Sequence, residues 1–251
     1  MRSVLALFLF LALSVAPLFA TAAPAYQSSD VSSAYTTSPI AHTIPGGWSA
    51  GDLVIAQLAT NIRTVTAVPS GWTLIQSSTG INTNMYAYWK ILDVGDLGAS
   101  QSWTLSGNPS AGRVAFHRFT GHHATTPINV STTANEASST TTHESPTITT
   151  TVDDCLTCRL MTNGGQIIVV SSGDTGTSRY NNAAVALSLW TSPKTTAGAT
   201  GTATYTTSAS RQLGHIVVGL APAAAGTARD PLSTSIPGVS RDPLTGTIPG
   251  L

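Results

Sequence analysis

The chain has 251 residues, of which 9% are charged, and Lys/Arg balance Asp/Glu at 11 each. That pattern excludes a nucleic-acid binder, because a phosphate backbone demands a basic patch or run and none occurs. Polarity comes instead from 39 Thr and 29 Ser alongside 22 Gly, a composition suited to the strands and turns of an extracellular β protein rather than a cytosolic enzyme.

Residues 1–25 read as a signal peptide. Arg2 precedes an apolar run from Val4 to Phe19, and the small residues from Ala20 to Ala25 suit cleavage between Ala23 and Tyr26. The run is short for a membrane span, which needs about 20 residues. No later stretch is apolar for long enough, so no membrane span is expected after signal removal. The expected location is secreted or at the cell surface. Without Arg2, ten Lys/Arg face eleven Asp/Glu, leaving a net charge of about −1.

Residues 26–222 carry short apolar runs between Gly, Pro, Ser and Asn, with no amphipathic helical period. Gly47-Trp48-Ser49-Ala50-Gly51 matches the G-x-S-x-G elbow of serine hydrolases, but it runs into the strand Leu53–Leu58 where that elbow needs a helix. Asp174 and His215 complete a Ser…Asp…His order that a chain of this length offers by chance. A strand is predicted over Trp72–Gln76 and another over Met85–Ile91. In the latter, Met85, Ala87, Trp89 and Ile91 share one face, while Tyr86, Tyr88 and Lys90 share the other. Tyr86 and Tyr88, with Trp48 in its Gly-rich loop, are candidate glycan contacts if exposed; the alternative is a strand buried on both faces.

Asp93, Asp96, Asp153 and Asp154 offer oxygen ligands, yet none follows the spacing of a calcium loop. Strands follow at Ser102–Ser106 and Arg113–Phe119. His117, His122 and His123 then cluster, although adjacent histidines on a strand point to opposite faces. Asn129-Val130-Ser131 is an N-glycosylation sequon. Cys155 and Cys158 are the only cysteines. Zinc would need a second ligand pair that is missing, and secretion favours a disulfide. Residues three apart on a straight strand lie about 10 Å apart, beyond the ~7 Å that a bridge spans. The expected local disulfide therefore requires a turn or bulge at Leu156-Thr157; otherwise the thiols pair between chains. Further strands are predicted over Gln166–Ser171, Ala184–Trp190 and His215–Leu220. Together these describe an all-β protein, an antiparallel sandwich of jelly-roll type, read as one domain with one core between two sheets.

Three segments carry a family likeness: Gly51-Asp52-Leu53-Val54-Ile55, Pro69-Ser70-Gly71-Trp72-Thr73-Leu74 and Tyr88-Trp89-Lys90. So do Ala115–Gly121, Thr126-Pro127-Ile128 and the closing Ile216–Pro222. In this order they resemble a widespread family of secreted and phage-associated β-sandwich domains. The resemblance implies the jelly-roll-like fold over roughly residues 30–222 and no catalytic residues.

From residue 223 the composition changes. A short Ala-rich linker leads into Arg229-Asp230-Pro231-Leu232…Ile236-Pro237-Gly238, repeated 12 residues later as Arg241-Asp242-Pro243-Leu244…Ile248-Pro249-Gly250. Two such units cannot build a core. One reading is a disordered tail, since termini fray unless tied down; the other is that the regularly spaced Leu232, Ile236, Val239, Leu244, Ile248 and Leu251 dock on a neighbouring subunit. The expectation is a non-enzymatic structural protein, a self-assembling subunit of a surface layer, appendage or filament. Its partners are copies of itself, and no cofactor or metal is called for. The alternative is a glycan-binding adhesin.

Overall fold

A computed structural model describes residues 22–162, 167–173, 176–182 and 186–224. The first half of the sandwich comprises β1 (Ala25–Val31), β2 (Ile40–Thr43), β3 (Leu53–Ala59), β4 (Val65–Ala67), β5 (Thr73–Ser78), β6 (Met85–Ile91), β7 (Ser100–Leu105) and β8 (Arg113–Thr120). The second half comprises β9 (Ile128–Asn135), β10 (Thr140–Ser145), β11 (Thr149–Thr150), β12 (Cys155–Thr162), β13 (Val169–Gly173) and β14 (Thr177–Asn182). It continues through β15 (Leu187–Lys194), β16 (Gly198–Ala199), β17 (Ala203–Arg211) and β18 (Gly214–Leu220). The all-β antiparallel sandwich expected from the sequence is what the chain adopts. The single core between two sheets is not.

The described strands form five sheets, and their order repeats. In the first half a five-stranded sheet runs β1-β8-β3-β6-β5 and a three-stranded sheet runs β2-β7-β4. The second half answers with β14-β15-β12-β18-β9 and β10-β17-β13, plus the two-stranded ribbon β11-β16. Register makes the equivalence residue by residue. Leu53 sits opposite Ile91 and Phe119, and Leu156 sits opposite Pro193 and Leu220. Gln57 sits between Ala87 and Ala115, and Leu160 sits between Leu189 and Ile216. The two halves are thus two copies of one topology.

Both five-stranded sheets are buried on both faces, which is why β3 and β12 are buried along their whole length. One face of each joins a shared core containing Leu53, Ile55, Met85 and Phe119 from the first half and Leu156, Cys158, Leu160, Ile216 and Val218 from the second. On the outer face of the first half, Val54, Leu58, Tyr86, Tyr88 and Phe116 pack against Ile40 and Trp103 of the small sheet. Met161 packs with Ala203 and Tyr205 in the second. The stack is therefore small, large, large, small. Burial of each large aliphatic or aromatic side chain contributes about 1.5–3 kcal/mol.

The halves meet reciprocally. β1 packs across β14, and β5 packs across β9. Since β9 is the counterpart of β1, and β14 of β5, each half offers the other the same surface. That is the isologous arrangement of a two-fold dimer, here within one chain.

One polar chain crosses this seam. The Gln57 amide donates to the carbonyl oxygens of Met161 (3.1 Å) and Ser188 (3.4 Å) of the other half. Its own oxygen lies 3.0 Å from His117 Nε2, so that nitrogen carries the proton. His117 Nδ1 then accepts from Ser29 Oγ at 2.7 Å. Burial holds the His117 imidazole neutral and pushes its pKa down to about 3.

Candidate functional site

The junction between the halves, the chain ahead of β1 and the exit from β18 meet at one pole. His122 bridges Pro222, the His123 N–H donates to the Ala221 carbonyl at 2.9 Å, and the Ala221 N–H donates to Pro127 at 2.8 Å. The Ala223 N–H reaches both Gly121 O (2.9 Å) and Ala22 O (3.2 Å). Gly121 has φ +70°, and a Cβ there would collide with the Ala23 carbonyl, so the seam admits glycine alone. Beside it opens a cleft of about 340 Å³, walled by Ile128, Val152 and Ala221–Ala224, with His123 and Asn129 at its rim. The Asn129 amide donates to Thr151 Oγ1 (2.7 Å) and accepts from the Thr151 N–H (2.9 Å). This pair of bonds holds Val152, 41% exposed, at the cleft mouth. Asn129, the sequon residue, is thus engaged through both ends of its amide.

The remaining residues singled out in the sequence lie elsewhere. Tyr86 and Tyr88 are buried in the first half's outer core, their rings stacked at 6.4 Å. Burial pushes the Tyr88 hydroxyl up to about 12. Trp48 is half-buried against the same core. The exposed aromatic row is therefore corrected: the small sheet covers the face on which those tyrosines stand. Every Phe, Tyr and Trp among the described residues is buried or half-buried. Cys155 and Cys158 are free thiols, and the expected local disulfide is corrected as well. β12 keeps an unbroken register against β15 and β18 with no bulge at Leu156-Thr157. Side chains three apart on such a strand point to opposite faces. Burial raises both thiol pKa values, and at Cys155 the neighbouring Asp153 and Asp154 add to the rise.

Ser49 sits in a turn whose N–H is capped by Asp52 Oδ2 at 2.8 Å, while Asp52 also takes Arg118 Nε at 2.6 Å. Gly51 at φ +90° turns the chain into β3. The G-x-S-x-G run is thus the entry to a strand, and His215 is engaged in the second half. Asp93 and Asp96 cap each other's backbone around the single-turn helix Val94–Asp96, and Asp96 also takes the Lys90 ammonium. Asp153 accepts from the Ala197 N–H at 2.7 Å. Leu232, Ile236, Val239, Leu244, Ile248 and Leu251, like Asp174, lie outside the described residues.

A further cluster was not foreseen. Glu136 accepts from His143 Nδ1 at 2.7 Å, His215 Nε2 at 3.2 Å and the Leu213 N–H at 2.8 Å. The Thr207 hydroxyl donates to Ala209 O (2.9 Å), so His143 Nε2 must donate to Thr207 Oγ1 at 2.8 Å. Both His143 ring nitrogens are thus engaged, one by the Glu136 carboxylate and one by the Thr207 hydroxyl oxygen. Burial alone would raise the Glu136 pKa; the hydrogen bonds from His143, His215 and Leu213 outweigh it and bring the carboxyl down to about 2. The order Thr207–His143–Glu136 resembles a nucleophile, base and orienting acid. However, His143 is fully buried and the Thr207 hydroxyl proton is committed to a carbonyl. The cluster joins β10, β17 and β18 to the segment that follows β9. No protein-family model, curated protein or solved structure matches this chain.

Proposed function

We propose that the protein is a non-enzymatic, extracellular structural subunit that assembles with copies of itself through its C-terminal repeats. The observation that carries this reading is the position of Ala224, from which the repeat segment continues, in the wall of an apolar cleft at the pole of the molecule. A sparsely charged, Thr-rich exterior and a leader-like first segment agree with secretion. The order β1-β8-β3-β6 over β2-β7-β4 is the winding of two Greek keys, so we read each half as a jelly-roll-type unit. The likeness to secreted and phage-associated sandwich domains fits the same setting. Glycan binding is the weaker alternative, because the tyrosines that motivated it are packed inside.

Light scattering on the secreted chain over a wide concentration range tests the reading, with electron microscopy of the same material. The expected result is concentration-dependent oligomers that disappear in a chain ending at Ala224. A full-length chain that stays monomeric throughout would remove the proposal.

A further inference from the structure

Resting on that reading, we propose that the apolar cleft at the pole is the receptor for one R-D-P-L…I-P-G unit of the C-terminal segment. The unit begins five residues beyond Ala224, itself part of the cleft wall. Chemistry matches at both sides. The cleft offers Ile128, Val152 and the Ala221–Ala224 segment as apolar walls, and Val152 is 41% exposed. Each unit pairs a leucine with an isoleucine four residues on, Leu232 with Ile236 and Leu244 with Ile248. On an extended segment those two side chains stand on one face. The Pro-Gly that follows suits the central positions of a type II turn. The receptor is also preformed, since the Asn129–Thr151 hydrogen bonds fix Val152 before anything binds, which lowers the cost of ordering on docking.

A fluorescent peptide spanning residues 229–251 tests the proposal by polarisation. Its target is a chain ending at Ala224; among the described residues the buried apolar core lies between Ile40 and Ala221. Saturable binding is expected. It should weaken by about tenfold or more in Val152→Arg, which places a charge in the apolar mouth, while the melting temperature of that surface variant stays that of its parent. Binding should also be weaker to the full-length chain, whose own units compete. No saturable binding, equal binding to Val152→Arg, or equal binding to the full-length chain would overturn the assignment. The assembly reading fails separately. A full-length chain that binds the peptide but never self-associates keeps the cleft and loses the assembly. Oligomers that form without peptide binding do the reverse.

Discussion

The two halves share one topology and one central register, yet their outer cores are made of different chemistry. Where the first half faces Ile40 to Trp103 across β2 and β7, the second faces His143 to Tyr205 across β10 and β17. Where β3 has Ala56, β12 has Arg159, whose guanidinium donates to Ser145 Oγ (3.0 Å) and to the carbonyls of Pro146 and Gly201 (both 2.8 Å). Where β8 has Val114, β18 has His215. The first half fills its inward positions with stacked and edge-on rings, Trp72 lying 5.6 Å from Phe116 and 5.4 Å from Trp103. The second places hydrogen-bonded His143, Arg159 and His215 where the first has Ile40, Ala56 and Val114. A sandwich layer thus specifies which positions are inside, while leaving open whether contact or hydrogen bonding satisfies them.

The comparison is sharpest at Trp103. Trp103→Ala empties the middle of the aromatic core and should cost about 3–5 kcal/mol, read as a lowered midpoint in denaturant unfolding. A loss below 1 kcal/mol would mean that the first half does not depend on ring packing. Glu136→Gln probes the other half. It keeps the shape but removes the charge that His143 and His215 face, so a loss of about 1.5–3 kcal/mol is expected. An unchanged midpoint would show that the second half stands on its few apolar contacts alone.

Acid should act on the halves in turn. His117 binds fewer protons when folded, its pKa falling from 6.5 to about 3, so the unfolded chain takes up protons first and stability is lost as pH falls below 6.5. His42 is shifted in the same direction, burial outweighing its contact with Asp30. Glu136 moves from 4.5 to about 2, so its contribution is present above pH 4.5 and drains away below it. The aromatic half and the seam therefore weaken first, although the ionic cluster belongs to the other half. Unfolding curves taken on either side of those two values should show His117→Gln flattening the upper window alone. Identical pH profiles for parent and variant would break the assignment.

The first half was the more legible in sequence, for a physical reason. β3, β6 and β8 are central strands with apolar residues on one or both faces, so Leu53–Leu58, Met85–Ile91 and Arg113–Phe119 announce themselves. β9, β10 and β17 read Ile-Asn-Val-Ser-Thr-Thr-Ala-Asn, Thr-Thr-Thr-His-Glu-Ser and Ala-Thr-Tyr-Thr-Thr-Ser-Ala-Ser-Arg. Their inward positions include His143, Ser145 and Tyr205, which break the alternation that a strand search needs, and so the internal duplication stayed hidden. Alternation in β6 correctly separated Tyr86 and Tyr88 from Met85 and Trp89. It cannot say whether a second sheet covers the other face, which depends on residues 15 to 48 positions away. Glu136, His143, Thr207 and His215 span 80 residues with no recurring spacing, so only the fold brings them together. The cleft walls come from the start of β9 and from segments around Val152 and after β18, and were equally out of reach.

The smallest effect concerns the two thiols. Cys158 stands in the shared core where the first half has Ile55, and Cys155 lies on the opposite face of the same strand. A bridge between them would require β12 to fold back on itself, breaking its ladders with both β15 and β18. Each ladder bond lost in the interior exposes a donor and an acceptor that burial penalises. Oxidation therefore works against the fold, even in a compartment that favours disulfides. Reductant should leave the melting temperature unchanged, and a thiol reagent should label neither cysteine until denaturant is added. Labelling of Cys158 in the native protein would mean that the seam between the halves opens, and with it the idea that they form one reciprocal, closed interface.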